Sequence, residues 1–351
     1  MKSNRVNLVA GSLGVAGRAL IDELCKVSED KTIGLSRRSP DFDSSASFIS
    51  VNLEDIEDCQ QTLHALDDVT HIYFAAYAPG SSLSEEAGPN LAMLKNLVQI
   101  MDQRSKNLKH ICLVQGSKWY GNHLGPYKTP ARETDPRHMP PNFYYDQQDW
   151  LEQYQKGKSW TWSSYRPHGL CGVSVGSAMN QLMALAIYAS ISKELGLALK
   201  FPGKPGAFKA VYQFTDARLL ARAMMWATTK PAFHNRAFNL TNGDPDRWEN
   251  IWPSIAANFG LEAAGVQTIS LATFMADKQP VWDELVRKHG LKPYKLADLV
   301  NWQFADWVYS SEFDQISSLA AFRATGWHET LRAEDMFSEQ FKQLRQQKII
   351  P

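Results

Sequence analysis

Apolar residues follow two rhythms along the first half of the chain. RVNLVAGSLGVAGRALIDEL opens with an unbroken β-branched and aliphatic run from Val6 to Ala10, passes a glycine turn, and continues with Val15, Ala19, Leu20 and Leu24 at helical spacing. A strand covered on both faces reads as such a run, whereas a helix lying on a sheet needs one apolar stripe. The alternation then repeats. TIGLSRR, Ser47 to Val51, His71 to Ala76, His110 to Gln115 and Trp160 to Arg166 predict further strands, with helices at Glu57 to Leu66, Leu91 to Gln103 and Phe143 to Gln155. Strands and helices in turn predict an α/β fold built on a doubly wound parallel sheet.

Gly11, Gly14 and Gly17 are spaced GxxGxxG directly after the first strand and at the opening of the first helix. In that context the first glycine permits a tight turn, the second lets backbone approach a pyrophosphate, and the third brings helix close to strand. The helix N-terminus then offers N–H groups to the anion. The pattern predicts a Rossmann nucleotide site rather than a plain turn. The second strand ends in Ser36, Arg37 and Arg38, where an NAD enzyme usually places an acid for the ribose hydroxyl. Two guanidiniums there suit a 2′-phosphate, so NADP(H) is the expected cofactor; a solvated basic turn is the plainer reading.

Beyond residue 170 the texture changes. Met179 to Leu195 and Asp216 to Thr229 predict long helices, and FNLTNGD a late strand running into a loop. No repeat, low-complexity tract or linker parts the halves. The expected division is a nucleotide-binding core over 1–170 and a smaller, mainly substrate-binding lobe over 171–351, interwoven so that part of it returns to the sheet.

At 351 residues, 44% hydrophobic and with a formal net charge of zero, the chain buries a large core and gives no footprint for nucleic acid. Cys25, Cys59, Cys112 and Cys171 form no CxxC pair, and the first strand begins almost at once. These features predict a reduced, cytoplasmic protein with free thiols and no metal site. The apolar run Leu182 to Ile191 is too short to span a bilayer and reads as core, so no membrane association is expected.

Candidate chemistry lies between Gly116 and Asp149, where GSKWYG precedes NFYYDQQD. Short-chain dehydrogenases use a tyrosine with a lysine one helical turn later; here Lys118 comes first and Tyr144 with Tyr145 follow. A solvated loop lysine and ordinary aromatic packing are the plain readings of these residues one by one. Their joint placement in a nucleotide fold favours reduction of a polarised substrate. Tyr145 is expected to pack or line the cleft. A formal YxxxK match, Tyr154 to Lys158, has Gly157 inside it and a strand starting at Trp160, so the two are expected not to share a helical face near the nicotinamide. Four positions after Tyr144 and Tyr145 stand Gln148 and Asp149, neither of which replaces the lysine.

GSLGVAG, LSRR, KHICLVQGSKWYG, LGPY, NFYYDQQDWL, YRPHGLCG, FNLTNGD, KQPVWDELVRKHGL and the terminal KIIP together resemble the progesterone 5β-reductase and iridoid synthase (PRISE) family, atypical extended short-chain dehydrogenases. The resemblance spans nearly the whole chain. It implies NADPH-dependent 1,4-reduction of an activated C=C bond in a small hydrophobic enone or enal, with hydride delivered to the β-carbon. Charge then develops on the carbonyl oxygen. Tyr144 would hold that oxygen, and Lys118 would lower the phenol pKa or reinforce its hydrogen bond. Carried over residue by residue, Leu13, Gly14 and Val15 would line the pyrophosphate turn, and Asn52 and Leu53 the adenine side. Ala76 and Tyr77 would stand at the end of the fourth strand and Val114 at the end of the fifth. Leu170, Ser177, Ala178 and Met179 would form the nicotinamide-side wall. The resemblance allows a homodimer and leaves the oligomeric state open.

The chain departs from the plant members between Lys118 and GPY, where it carries extra residues, and over Lys128 to Pro141, which is shorter and richer in Pro and Arg. Both stretches are expected to border the cleft, so steroid or iridoid specificity is not carried over. Tyr127, Trp119, Phe208 and Trp302 are candidate cleft aromatics, with core packing the default for each. Two other functions stay open: an NAD-dependent nucleotide-sugar epimerase or dehydratase, and a non-catalytic NADP sensor.

Overall fold

A computed structural model describes residues 5–177 and 179–351. Seven parallel strands form its central sheet: β1 (Val6–Ala10), β2 (Lys31–Ser36), β3 (Ser47–Ser50), β4 (His71–Phe74), β5 (His110–Val114), β6 (Thr161–Arg166) and, from the second half, Arg236–Asn239. Their order across the sheet runs Arg236–Asn239, β6, β5, β4, β1, β2, β3. The strand order reverses between β1 and β4, which opens a crevice at their carboxyl ends. The α/β doubly wound sheet read from the sequence is therefore the observed fold.

Helices α1 (Val15–Leu24), α2 (Ile56–Leu63), α3 (Leu83–Arg104) and α4 (Phe143–Gln155) connect the strands of the first half. On one face Leu94, Leu97 and Leu151 from α3 and α4 pack against Leu8, Ile72 and Ile111. On the other, Leu20 and Ile21 of α1 meet Leu220 and Met224 of the helix Ala217–Ala227, together with Tyr165 and Phe238. The second half thus supplies both an edge strand and a covering helix to the sheet.

Helix α3 is longer than its apolar pattern predicts, starting at Leu83 rather than Leu91. Gly88 and Pro89 hide its first turns in the sequence. Ser82 starts the helix, its hydroxyl accepting from the Glu85 amide at 3.3 Å, an S-x-x-E signal that outweighs the local breakers. Strand β4 ends at Phe74, short of the predicted Ala76, because the chain turns there into the crevice.

The lobe after residue 170 has its own core around α5 (Gln181–Glu194), most of whose residues are buried, as for a helix apolar all round. Leu182, Leu185 and Ile187 are fully covered by a layer that includes Trp248, Trp252 and Phe337. Each such aliphatic side chain contributes roughly 1.5–3 kcal/mol by leaving water. Phe208 and Trp302 pack against this core, the default reading for both. All four cysteines are unpaired. Among the described residues, no helix is long and apolar enough to cross a membrane, and no acidic, His or Cys cluster is placed to hold a metal ion.

Candidate active site

A cleft of about 520 Å³ follows the carboxyl ends of β1, β2, β4 and β5. Gly11 makes the turn below it at φ +74, and a Cβ there would lie 2.7 Å from the Ala75 carbonyl carbon. Gly17 packs under the turn, where a Cβ would stand 2.1 Å from the Gly11 carbonyl oxygen. Gly14 precedes α1, and no side chain caps the helix there. Leu13, Gly14 and Val15 line this end of the cleft, Ser36, Arg37, Arg38, Asn52 and Leu53 its β2–β3 side, and Ala76, Tyr77 and Val114 its middle. Tyr144, Leu170, Ser177 and Met179 close the far side. Gly17 lies beneath the wall, and Ala178 falls outside the described residues.

At the β2 end, Ser36 Oγ accepts from the Arg38 amide at 3.2 Å. Arg37 faces Glu54 at 3.6 Å, and Arg38 Nη2 donates to the Val175 carbonyl at 3.2 Å. Both guanidiniums are partly solvated, and they retain N–H groups beyond these contacts. The cleft therefore fits a dinucleotide: a glycine turn with no side-chain cap at the helix start, an apolar floor and two arginines at the second strand's end.

Tyr144 lines the cleft, and Lys118 sits on a neighbouring turn tied to it. After β5, Ser117–Tyr120 form a single 3₁₀ turn that carries Lys118, while Tyr144 is the second residue of α4. Asn142 caps α4 by accepting from the Tyr144 amide at 3.1 Å, and its Nδ2 donates to the Lys118 carbonyl at 2.8 Å. Gln115 Nε2 adds a bond to the Tyr144 carbonyl at 3.1 Å. The Tyr144 hydroxyl lies 3.1 Å from where a Cβ on Gly116 would be, so that glycine leaves it room.

Lys118 stands behind the cleft wall rather than in it. Its Nζ lies 3.6 Å from Glu86 Oε2 and 5.9 Å from the centre of the Tyr77 ring. The Tyr77 hydroxyl donates to Glu86 Oε1 at 2.5 Å. Of the two roles expected of Lys118, lowering the Tyr144 phenol or reinforcing its hydrogen bond, the first does not appear in the direction of the Tyr144 shift. Burial first, and then the negative charge of Glu86, push that phenol above its ordinary range. Tyr77 is raised in the same way, by burial and by its bond to Glu86.

Tyr145 is structural: its hydroxyl donates to the Trp119 carbonyl at 2.6 Å and accepts from the His138 amide at 2.8 Å. Trp119 is buried edge-on against Tyr145, with the Arg166 guanidinium 3.6 Å over its ring, and Tyr127 stacks on Tyr120. Neither Trp119 nor Tyr127 is a wall of the cleft. The YxxxK pair was expected not to share a helical face near the nicotinamide; Lys158 Nζ sits 4.8 Å over the Tyr154 ring, and neither residue lines the cleft. Both bind Asp102, at 2.7 and 3.0 Å, because the turn at Gly157 folds the lysine back onto the helix end. They meet at the C-terminal end of α4, beside the amino end of β6, whereas the cleft lies at the carboxyl ends of the strands.

Gln115 and Phe143 also line the cleft and were not singled out in the sequence, although each adjoins a residue that was. Glu86 was missed because its helix was read as starting after it.

The PRISE-like Rossmann-fold domain model matches residues 49–351. The chain belongs to this family. Among PRISE-like relatives, the (S)-8-oxocitronellyl enol synthase of Nepeta racemosa is 38% identical over 88% of this chain and 83% of its own. The 3-oxo-Δ(4,5)-steroid 5β-reductase of Arabidopsis thaliana is 32% identical over 99% of this chain and 93% of its own. A short chain dehydrogenase of Penicillium aethiopicum is 30% identical over 98% of both. UDP-glucose 4-epimerase of Thermus thermophilus, solved with NAD, shares the fold at TM-score 0.67 and 15% identity, over 97% of this chain and 99% of that one. WbmG of Bordetella bronchiseptica, also solved with NAD, does so at 0.68 and 13%, over 99% and 96%. The PRISE-like chain thus shares its fold with nucleotide-sugar enzymes, and its sequence with oxidoreductases.

Proposed function

We propose that this protein is an NADPH-dependent reductase of activated C=C bonds in small hydrophobic enones or enals. The observation that carries the reading is the Tyr144 phenol at the cleft wall, roped by Asn142 to the turn that bears Lys118. A reduced nicotinamide held in this cleft would supply a hydride for the β-carbon, with the α-carbon of the resulting enolate taking its proton from water. Tyr144 donates its hydroxyl to the substrate carbonyl oxygen, where negative charge grows as the β-carbon is reduced. A phenol held above its ordinary pKa remains a donor throughout the neutral range. Lys118, ion-paired with Glu86 at 3.6 Å, is carried on the turn that Asn142 ties to Tyr144. The apolar walls, Phe143 and Leu170 among them, exclude water and strengthen the hydrogen bond to the developing oxyanion. Arg37 and Arg38 are the donors for a 2′-phosphate.

The family membership and the relatives named for enol synthesis and 5β-reduction support this reading. The test is consumption of NADPH against a panel of small enones and enals. Turnover that Tyr144→Phe and Lys118→Ala each reduce by roughly a hundredfold or more agrees with it. Tight NADPH binding with no turnover on any member of the panel points to a sensor instead. Turnover of a UDP-sugar with retained NAD points to an epimerase.

A further inference from the structure

Arg166 closes β6 at 1% exposure. Its Nε donates to Gln115 Oε1 at 3.2 Å, Nη2 to Gln148 Oε1 at 3.2 Å, and Nη1 to the Tyr120 hydroxyl at 3.0 Å and the Glu133 carbonyl at 3.5 Å. These acceptors stand at the exit of β5, on α4, on the Lys118 turn and on the stretch between that turn and α4. The Trp119 ring lies against the same guanidinium, 3.6 Å from ring centre to carbon. Neutral acceptors offset only part of the cost of burying a cation. What the planar fork supplies is direction, since it holds several elements at fixed angles where a rotating ammonium would not.

Gln115 carries this anchor to Tyr144. Its own amide N–H donates to the Tyr165 carbonyl at 2.7 Å, which fixes its backbone against β6, and its side chain borders the cleft. Arg166 Nε only donates and the Tyr144 carbonyl only accepts, so the Gln115 amide has one permitted orientation: Oε1 to the guanidinium, Nε2 to the carbonyl at 3.1 Å. Tyr144 is thereby pinned at both its peptide groups, by Asn142 at the N–H and by Gln115 at the C=O.

We propose that Gln115 is a positioning residue: clamped by Arg166, it holds the Tyr144 carbonyl and so sets the phenol at the cleft wall where the substrate oxygen meets it. This rests on the assignment of Tyr144 as the donor to that oxygen. Gln115 acts through Tyr144 and through no other group of the site.

The test is Gln115→Met, which keeps the side-chain length and removes both bonds, measured beside Tyr144→Phe and the double variant. Gln115→Met should lower kcat for an enone by roughly tenfold or more, as displacement of a reacting group does. In the Tyr144→Phe background the same change should cost less than about twofold, because residues that act as a unit are lost only once. A general loosening of the fold would lower kcat by one factor in both backgrounds, and that result overturns the proposal. An unchanged kcat in Gln115→Met overturns it as well.

Should Gln115→Met not fold, Gln115→Glu takes its place. Its carboxylate still accepts from Arg166, which keeps it ionised, and it has no N–H for the Tyr144 carbonyl. The same non-additive loss is expected. The phenol is also read directly, without substrate, by NMR of protein isotopically labelled at tyrosine Cζ. The Tyr144 resonance, identified by its loss in Tyr144→Phe, should shift or broaden in either Gln115 variant, and an unmoved resonance overturns the proposal. If no enone is turned over, or if Tyr144→Phe leaves turnover intact, the reductase assignment fails while this resonance still decides whether Gln115 places the phenol.

Discussion

Asn142 donates its side-chain amide to the Lys118 carbonyl at 2.8 Å while its oxygen caps the helix that starts with Phe143 and Tyr144. One side chain therefore fixes the spacing of the two groups assigned to the chemistry. Asn142→Ala should cost about 1 kcal/mol of stability through the lost cap. It should lower kcat by roughly ten- to a hundredfold, since small misplacements of a reacting group carry such penalties. Thermal melts and steady-state kinetics measure the two separately; an unchanged kcat would show that Lys118 and Tyr144 are held by other contacts.

Arg37 and Arg38 differ in their other commitments. Arg37 faces only the exposed Glu54 side chain at 3.6 Å among the ion pairs described, a surface pair of small value. Arg37→Ala should weaken NADPH by roughly tenfold or more, the value of a charged hydrogen bond, and leave NADH nearly unchanged. Titration of both cofactors by fluorescence decides it, and equal losses would remove the 2′-phosphate assignment.

Gly176 has φ +74, and a Cβ on it would lie 2.3 Å from Arg38 Nη1. Gly176→Ala should displace that guanidinium and strain the backbone by about 1 kcal/mol or more. NADPH affinity should fall in this variant by an amount that adding Arg38→Ala barely increases. A double-mutant cycle on NADPH dissociation constants reads that coupling, and full additivity would show the two positions to be independent.

Buried imidazoles give the fold an acid limit. His71, His110 and His168 are each held down to about 3, burial being the first cause in every case, followed for His71 by Arg5 and for His110 by His71. Unfolded histidines take up protons near pH 6.5, while these stay neutral in the folded chain until near pH 3. Between those values the unfolded state binds more protons, so stability falls as pH is lowered, by at most about 1.4 kcal/mol per pH unit for each imidazole. Denaturant midpoints between about pH 4 and 6.5 should follow this slope, and His110→Gln should flatten it by one imidazole's share.

Strand and helix succession was legible because a parallel sheet covered on both faces writes itself as apolar runs, and β1, β5 and β6 fall where those runs do. The motifs around Lys118 and Tyr144 foreshadowed that the two stretches meet, as they do through Asn142. The early start of α3 was not, since Gly88 and Pro89 outweigh a serine cap in any local reading. Glu86 was lost with it. Its importance comes from contacts with Tyr77 and Lys118, 9 and 32 positions away, and no local spacing encodes such a meeting. The Glu86 charge beside Tyr144 lay unseen for the same reason. The Tyr154–Lys158 match shows the converse, a familiar pattern that serves as a brace around Asp102.

Residues 121–141 leave the Lys118 turn and return at Asn142, and they are stitched to the distant stretch near residue 317. Ala131 donates to the Ile316 carbonyl and accepts from the Ser318 amide, both at 2.8 Å. Exchanging this excursion for that of another family member would leave those backbone groups without mates. A chimera meant to alter substrate choice must therefore transplant two segments together, the excursion and its distant seam.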